Sequence, residues 1–461
     1  MVYQPKSSAF ARMRTSNAFI AFVVCTAIFS DSFVYDLIIP FIPHMLEHRL
    51  HLPADQVQIW TSTLLGVFGA AFAIGNLIAG YLTDHSPSTK FPFLLGMVTM
   101  IASSLMFFLG EHIAVAVAAR ALQGLSASFV WVSGLAFMTS NVSGSFIGKA
   151  MGYVSVGMAA GELLGPLVGG AMYEHAGHYA VLALVCAILG VDVALRLLLA
   201  DKESNDSRGS TGAALEDDEE RPLLDEGPVG EADVQTPVAE DAGVTSSKTI
   251  DIFGLRLDRE LCASFYAVCV IGTIRYSFES SLSIFVLQRF SWSTSASGGI
   301  VFAFLGPAAF GPLVGHFTTK YGPRWFTVVL FGVSAIGLVG LGLFTQPSTV
   351  VKVFFVITVA VVGICMSSLT TIQSIAFSVA AKRREMEMKR AGKSSSTGAD
   401  FGGFSMAWTT GMFIGPLAAE LFVDHVNWLA YCLFLAGLCA ISGVIMSFTW
   451  KEWEIPEDEG S

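Results

Sequence analysis

An all-α membrane protein of twelve transmembrane helices, built as two pseudo-symmetric six-helix bundles, is the architecture the sequence predicts, on three observations. First, 53% of the 461 residues are hydrophobic and only 14% charged, with a mean hydropathy of +0.62, which excludes an ordinary water-soluble fold. Second, apolar stretches long enough to cross a hydrocarbon core of ~30 Å recur twelve times, six in each part of the chain. Third, the two sets of six repeat one another at matched positions.

The N-terminal tail, 1–17, is polar and basic, and the apolar run behind it lacks a small-residue cleavage site, so it is read as a retained first span. Spans follow at 18–40, 57–82, 91–110, 113–138, 146–173 and 178–200, forming the N-terminal bundle (18–200). The C-terminal bundle (260–449) holds spans at 260–288, 294–318, 325–346, 350–380, 401–423 and 427–449, with a tail at 450–461. With both termini cytosolic, 20 of the 26 Lys and Arg fall on the cytosolic side and only Arg49, Arg289 and Lys352 on the other; Arg120, Arg196 and Arg275 lie within spans. That asymmetry follows the positive-inside rule and predicts the orientation.

Between the bundles, 201–259 carries "LEDDEERPLLDEG" and much of the net charge of -11; rich in Asp, Glu, Gly, Ser and Pro, it reads as a disordered cytosolic linker. No nucleic-acid partner is implied. Glu219, Leu223 and Leu224 within it have the acidic dileucine form that sorting adaptors bind, which makes a vacuolar or vesicular membrane an alternative to the plasma membrane. The seven cysteines all fall within spans without a CxxC pair and read as small buried hydrophobes.

Internal repetition is the strongest organising signal. "GELLGPLVGG" (161–170) returns in form as "GMFIGPLAAE" (411–420), "GYLTDHSPSTK" as "GHFTTKYGPR", and "FSDSF" as "SFESS", which matches Asp31 with Glu279. Two related bundles facing one another across a central cavity make a transporter plan, with the site near the midplane where the repeats meet.

Several of these strings resemble the motifs of the major facilitator superfamily: "GYLTDH" and "KYGPR", "RALQG" (120–124), and Gly161, Gly165, Pro166, Gly169 and Gly170. An acid, Asp31, followed nine residues later by Pro40 and twelve later by Pro43, is similar to the first helix of the vesicular amine transporter branch of the twelve-helix drug:proton antiporters. The acids that such carriers bear in the tenth and eleventh helices are replaced here by Met366 and Ser405. The resemblance implies the major facilitator fold, alternating access, and a proton-coupling role for Arg120.

The residues support a chemistry of their own. A carboxylate in mid-membrane costs about 2.5 to 3.5 kcal/mol on insertion scales and faces protein or a wet cavity. Asp31 and Glu279, on matching helices, are expected to point into one cavity, and burial favours their protonated forms, which proton exchange requires. Asp36 lies about 140° around the helix from Asp31 and is open between a second cavity group and a structural acid. Arg275 precedes Glu279 by four residues and Asp192 precedes Arg196 by four, so each pair shares a helix face. Glu162 adjoins the glycine face and is open between cavity and helix partner.

Phe33, Tyr35, Tyr276, Phe278, Phe404 and Trp408 are the expected cavity aromatics, suited to an amphipathic or cationic cargo. Gly157, Gly161, Gly165 and Gly169 recur every four residues and form, with Pro166 and Gly170, a smooth face for gating and close helix packing, matched by Gly411, Gly415 and Pro416. A loop latch is expected from Gly80 and Asp84, mirrored by Lys320, Gly322 and Arg324. His44, His48 and His51 are spaced as a helix face suited to a metal or to pH sensing, with ordinary loop histidines the plainer reading. No Walker string, Rossmann fingerprint or G-x-S-x-G elbow is present, so neither ATP drive nor nucleophilic catalysis is indicated, and no cofactor or metal is expected.

The expected function is secondary transport: proton-coupled antiport or efflux of a small organic compound (drug, natural product or amine) by a monomer in the bilayer. A transporter-like sensor signalling through the acidic linker is the reading of a different class.

Overall fold

The computed structural model describes residues 14, 16–86, 90–142, 144–199, 250–252, 255–257, 259–307, 314, 318, 323–390 and 398–449. Both tails, most of the linker with Glu219, Leu223 and Leu224, and the latch residues Lys320 and Gly322 lie outside them, as does the side chain of Asp84.

The first helix, α1 (Asn17–Leu37), shows why an element begins and ends where it does. Ser16 caps it, its hydroxyl accepting the Phe19 amide at 3.2 Å, and Pro40 and Pro43 force a turn at 38–41 before the short α2 (Ile42–His48). The span therefore stops earlier than the 18–40 expected from hydropathy. After a 3₁₀ turn (Ala54–Gln56) come α3 (Val57–His85), α4 (Lys90–Leu109), α5 (Ile113–Asn141), α6 (Gly144–Ala176) and α7 (His178–Leu198). Only Gly177, with φ +82°, separates α6 from α7, a left-handed position that favours glycine.

The second half runs α8 (Arg259–Phe290), α9 (Thr294–Leu305), α10 (Pro323–Leu343), α11 (Thr349–Arg390), α12 (Gly398–His425) and α13 (Trp428–Thr449). Eleven of these helices are long and apolar enough to cross a membrane. The remaining expected span, 294–318, is described as α9 and as helical residues at 314 and 318. Two differences from expectation stand out. The charged run after 380, read as loop, continues α11 through Arg390, because Glu, Met, Lys and Arg are all strong helix formers. The end of the linker forms a small antiparallel hairpin, β1 (Ile250–Ile252) with β2 (Leu255–Leu257).

Packing repeats between the halves. α1 lies along α6 as α8 lies along α12, and the halves meet through α3 against α12 and α6 against α9. Burial ranks the helices accordingly: 67% of the membrane window of α1 and 72% of that of α8 are buried, against 28% for the peripheral α7. The α1–α6 contact is as close as backbones allow. A Cβ at Gly161 would lie 2.7 Å from the Phe29 carbonyl oxygen, one at Gly165 would lie 2.9 Å from that of Phe33, and one at Gly169 would overlap the Leu37 carbonyl. Gly157 meets Cys25 in the same row. In the second half, Gly411 and Gly415 would place a Cβ 2.6 Å from the Thr273 amide nitrogen and carbonyl oxygen. Pro166 and Pro416 are accommodated inside their helices.

At the bundle end that carries residues 49–56 and 291–293, the halves are stitched together. Gln58 donates to the Ser280 carbonyl at 3.4 Å, the Ser295 amide donates to Glu174 at 2.7 Å, and Gly170 and the Pro166 carbonyl pack on Gly298.

Replacing Gly169 by Leu is expected to destabilise the protein by roughly 1–3 kcal/mol or more through overpacking. Gly152, whose Cβ would meet nothing within 4 Å, should tolerate the same change. Thermal unfolding of the two variants in detergent checks the contrast.

Candidate functional site

Where α1, α6, α8 and α12 converge, charge is concentrated in a span region that is otherwise apolar. Arg275 of α8 is at its centre. Its Nη2 is 2.9 Å from Glu162 of α6, in the other half, and its Nε donates to Glu279, one turn along its own helix, at 3.0 Å. The Glu279 side chain is fully buried, that of Glu162 is 8% exposed and that of Arg275 13%, so the guanidinium is the most accessible member. Glu279 accepts a second bond, 3.2 Å, from the Tyr35 hydroxyl of α1. Two links thus cross the midplane between halves, each made by a group that would be costly to bury alone.

Aromatic rings extend the site in both directions. The Trp408 indole of α12 donates to the Tyr276 hydroxyl at 2.8 Å, and the Arg275 guanidinium lies 5.4 Å from the Trp408 ring and 5.6 Å from that of Tyr276. Trp408 stacks on Phe404, and Phe404 meets Phe377 edge-on. Across the divide, Tyr35 meets Tyr276 with ring centroids 6.3 Å apart and Phe68 at 4.7 Å.

Beyond Tyr35 lies a narrow crevice with no room for a water molecule, lined by Asp31, Val34, Tyr35, Phe68, Met100, Arg120 and Gln123. Arg120 is 1% exposed; it donates to the Leu64 carbonyl at 3.3 Å and to Gln123 at 3.1 Å, and covers the rings of Phe68 and Tyr35 at 4.6 and 5.1 Å. Its Nη2 has no partner. Asp31 accepts from the Trp131 indole of α5 at 2.9 Å, and its other oxygen is likewise unpartnered.

This arrangement corrects the expectation that Asp31 and Glu279 share one cavity. The Tyr35 ring stands between them: Asp31 lines the recess inside the first half, whereas Glu279 is held at the interface. Asp36, turned about 140° from Asp31 along α1, is the first-helix acid that reaches the interface cluster, within electrostatic range of Glu279, Glu162, Arg275 and Arg120.

Two expected cavity aromatics point elsewhere, because their positions on α1 and α8 face neighbouring helices. Phe33 stacks on Phe29 along the α6 contact, and Phe278 packs among Phe304, Trp428 and Tyr431 in the second half's core.

Trp131 was not anticipated, although a signal for it exists: it lies eleven residues after Arg120, which places both on one helix face to within about 20°. Asp192 and Arg196 close on one another at 2.8 Å, with Arg196 also on the Phe93 carbonyl and ring, a pairing inside the first half. Of the latch, Gly80 has nothing within 4 Å of a Cβ, and Arg324 donates to the Ser447 carbonyl near the end of α13.

Two bundles related by an internal repeat and joined through a charged, ring-lined midplane define a membrane transporter. Residues 24–388 and 305–459 match the family model of the Major Facilitator Superfamily, and the chain belongs to that family. It is 26% identical over 438 residues to the Uncharacterized MFS-type transporter C18.02 of Schizosaccharomyces pombe, covering 93% of this chain and 94% of that protein. It is also 26% identical over 451 residues to the MFS-type transporter ppzB of Metarhizium majus, covering 91% and 97%. The Vesicular acetylcholine transporter of Torpedo torpedo is 28% identical over 220 residues, 41% of this chain and 42% of its own. Among solved structures, a point mutant of the nucleoside transporter NupG superimposes with a TM-score of 0.60 at 10% identity, covering 94% of this chain and all of that one, a likeness of fold. The protein is therefore an MFS-type transporter and not an enzyme.

The histidine trio is a pair. His44 and His48 stack at 4.0 Å, and His44 also approaches the Tyr173 hydroxyl at 3.3 Å, but α2 ends at His48 and His51 has φ +52° off the helix. Among the described residues no group of three or more His, Cys, Asp or Glu is arranged to hold a metal. Burial first, and then His48, holds the His44 imidazole below its ordinary value, with Glu47 acting the other way. The native protein then binds fewer protons here than the unfolded chain. The contribution is complete above the ordinary imidazole value of about 6.5 and is lost as pH falls below it. Thermal unfolding followed from about pH 7.5 to 5.5 should show this decline, and His44→Asn should make it shallower.

Proposed function

We propose that the protein is a proton-coupled antiporter that exports small organic compounds (drugs, natural products or amines) by alternating access. The observation that carries this reading is the Glu162–Arg275–Glu279 bridge with Tyr35. Titratable groups are set in mid-membrane, at the junction of the two halves, among rings that can hold an amphipathic guest. In such a cycle the cluster changes its protonation as the halves rock, and Asp31 and Arg120 lie one ring away in a recess too narrow in this conformation for a guest. The vesicular acetylcholine transporters among its relatives support a cationic cargo and a vesicular or vacuolar membrane. The excess of Lys and Arg on one side supports cytosolic termini. Glu219, Leu223 and Leu224 would then be displayed to a sorting adaptor.

Flux in inside-out vesicles with an imposed pH gradient, screened with amines, xenobiotics and polyketide-like compounds, tests the reading. Gradient-driven uptake should fall at least about tenfold in Asp31→Asn, Glu279→Gln and Arg120→Ala, each folded and membrane-inserted, because the first two remove titration with the shape kept and the third removes the counter-charge. Uptake at parental levels in all three would remove these groups from the mechanism.

A further inference from the structure

Arg275 already sits where an organic cation would. Two carboxylates, Glu162 and Glu279, lie within 2.9 and 3.0 Å of it, and two rings, Trp408 and Tyr276, within 5.4 and 5.6 Å. Carboxylates and π faces in a low-dielectric pocket are what an ammonium or guanidinium ligand requires. The Trp408–Phe404–Phe377 rings continue from this seat and suit a flat, ring-bearing body behind the charge.

A second observation concerns Asp36. It is 1% exposed, its Oδ1 has no hydrogen-bond partner, and it makes no ion pair among the described residues. The charged and titratable groups acting on it come from every element around it: Glu162 from α6, Arg275, Tyr276 and Glu279 from α8, Arg120 from α5, and Tyr35 from α1. Two of the three acids in the cluster are engaged by Arg275, and Asp36 is the one left without it. A buried carboxyl with an unpartnered oxygen is costly to leave ionised.

We propose that Arg275 is a tethered occupant of the cargo seat that yields to an incoming organic monocation by swinging to Asp36, so that Asp36 releases its proton as cargo binds. The proposal rests on the transport reading above and names its coupling step. One positive charge enters between Glu162 and Glu279, and Arg275 keeps its charge and changes partner. The O–H bond of Asp36 breaks, the electron pair stays on the carboxylate, and the proton passes to water admitted with the cargo. The net charge of the cluster is the same before and after, which makes the exchange one cation for one proton. Arg275 thereby sets a threshold: a compound binds only if its cation competes with a guanidinium already in place.

The test uses the purified full-length protein in detergent, weakly buffered with a pH-indicator dye, and phenyltrimethylammonium, a ring-bearing cation with no titratable proton. The parent should release about one proton per probe bound. Asp36→Asn should bind the probe and release none, and folded Arg275→Gln should bind it roughly tenfold more tightly, because the tethered competitor is gone. Proton release unchanged in Asp36→Asn overturns the proposal. So does equal or weaker binding in folded Arg275→Gln, or no probe binding by either protein. Should Arg275→Gln fail to fold, Trp408→Leu keeps both ion pairs and removes a ring from the seat: weaker probe binding supports the proposal, and undiminished binding overturns it. Gradient-driven uptake by the parent in proteoliposomes separates the two failures. Uptake without Asp36-linked proton release defeats this inference alone, whereas no gradient-driven flux of any screened compound defeats the transport reading.

Discussion

A charge buried in the membrane must find an opposite charge, and in this protein that requirement ties the two halves together. Arg275 could have been satisfied on its own helix by Glu279, four residues away. It also takes Glu162 from the facing half, which makes one guanidinium the shared partner of two bundles. The rest of the midplane is arranged around that guanidinium: Tyr35 reaches across to Glu279, Trp408 and Tyr276 wall the guanidinium, and Asp36 is left without an ion-pair partner among the described residues.

Close backbone approach makes this meeting possible. The glycines on α6 bring that helix against α1, and those on α12 bring it against α8, so Tyr35 and Asp36 stand opposite Arg275 and Glu279 instead of being held apart by side chains. The same pairing in each half is the physical content of the internal repeat. At one end of the bundle, Glu174 accepts from the Ser295 amide in the first turn of α9 and Gln58 reaches the α8 backbone, so the halves are fastened there by hydrogen bonds.

Much of this was legible in the residues alone. Twelve apolar stretches, the doubled glycine-proline strings and the matched acids are local or periodic signals, and they announce helices, their number and their pairing into two halves. The interface glycines were legible for the same reason, since a four-residue period lays them on one helix face. The partners of the acids were not. Periodicity relates a residue to its own helix, and Asp31 and Glu279 look equivalent on that basis. The placement of Tyr35 between them, and of Trp131 beside Asp31, depends on how separate helices rotate about one another. Phe33 and Phe278 were misplaced on the same account: each is a large ring next to a site residue in sequence, and each turns to a different neighbour.

The sequence by itself determined that the chain is helical, membrane-embedded and internally repeated, because hydrophobic length and backbone hydrogen bonding leave lipid-exposed segments few alternatives. It also determined which charges had to be hidden. Only the tertiary structure decided which of them meet, since a buried charge is satisfied by whatever group stands a few ångströms away, from any helix. That distance is set by the packing of four helices at once, and it put Glu162 and Glu279, rather than Asp31, against the arginine that joins the two halves.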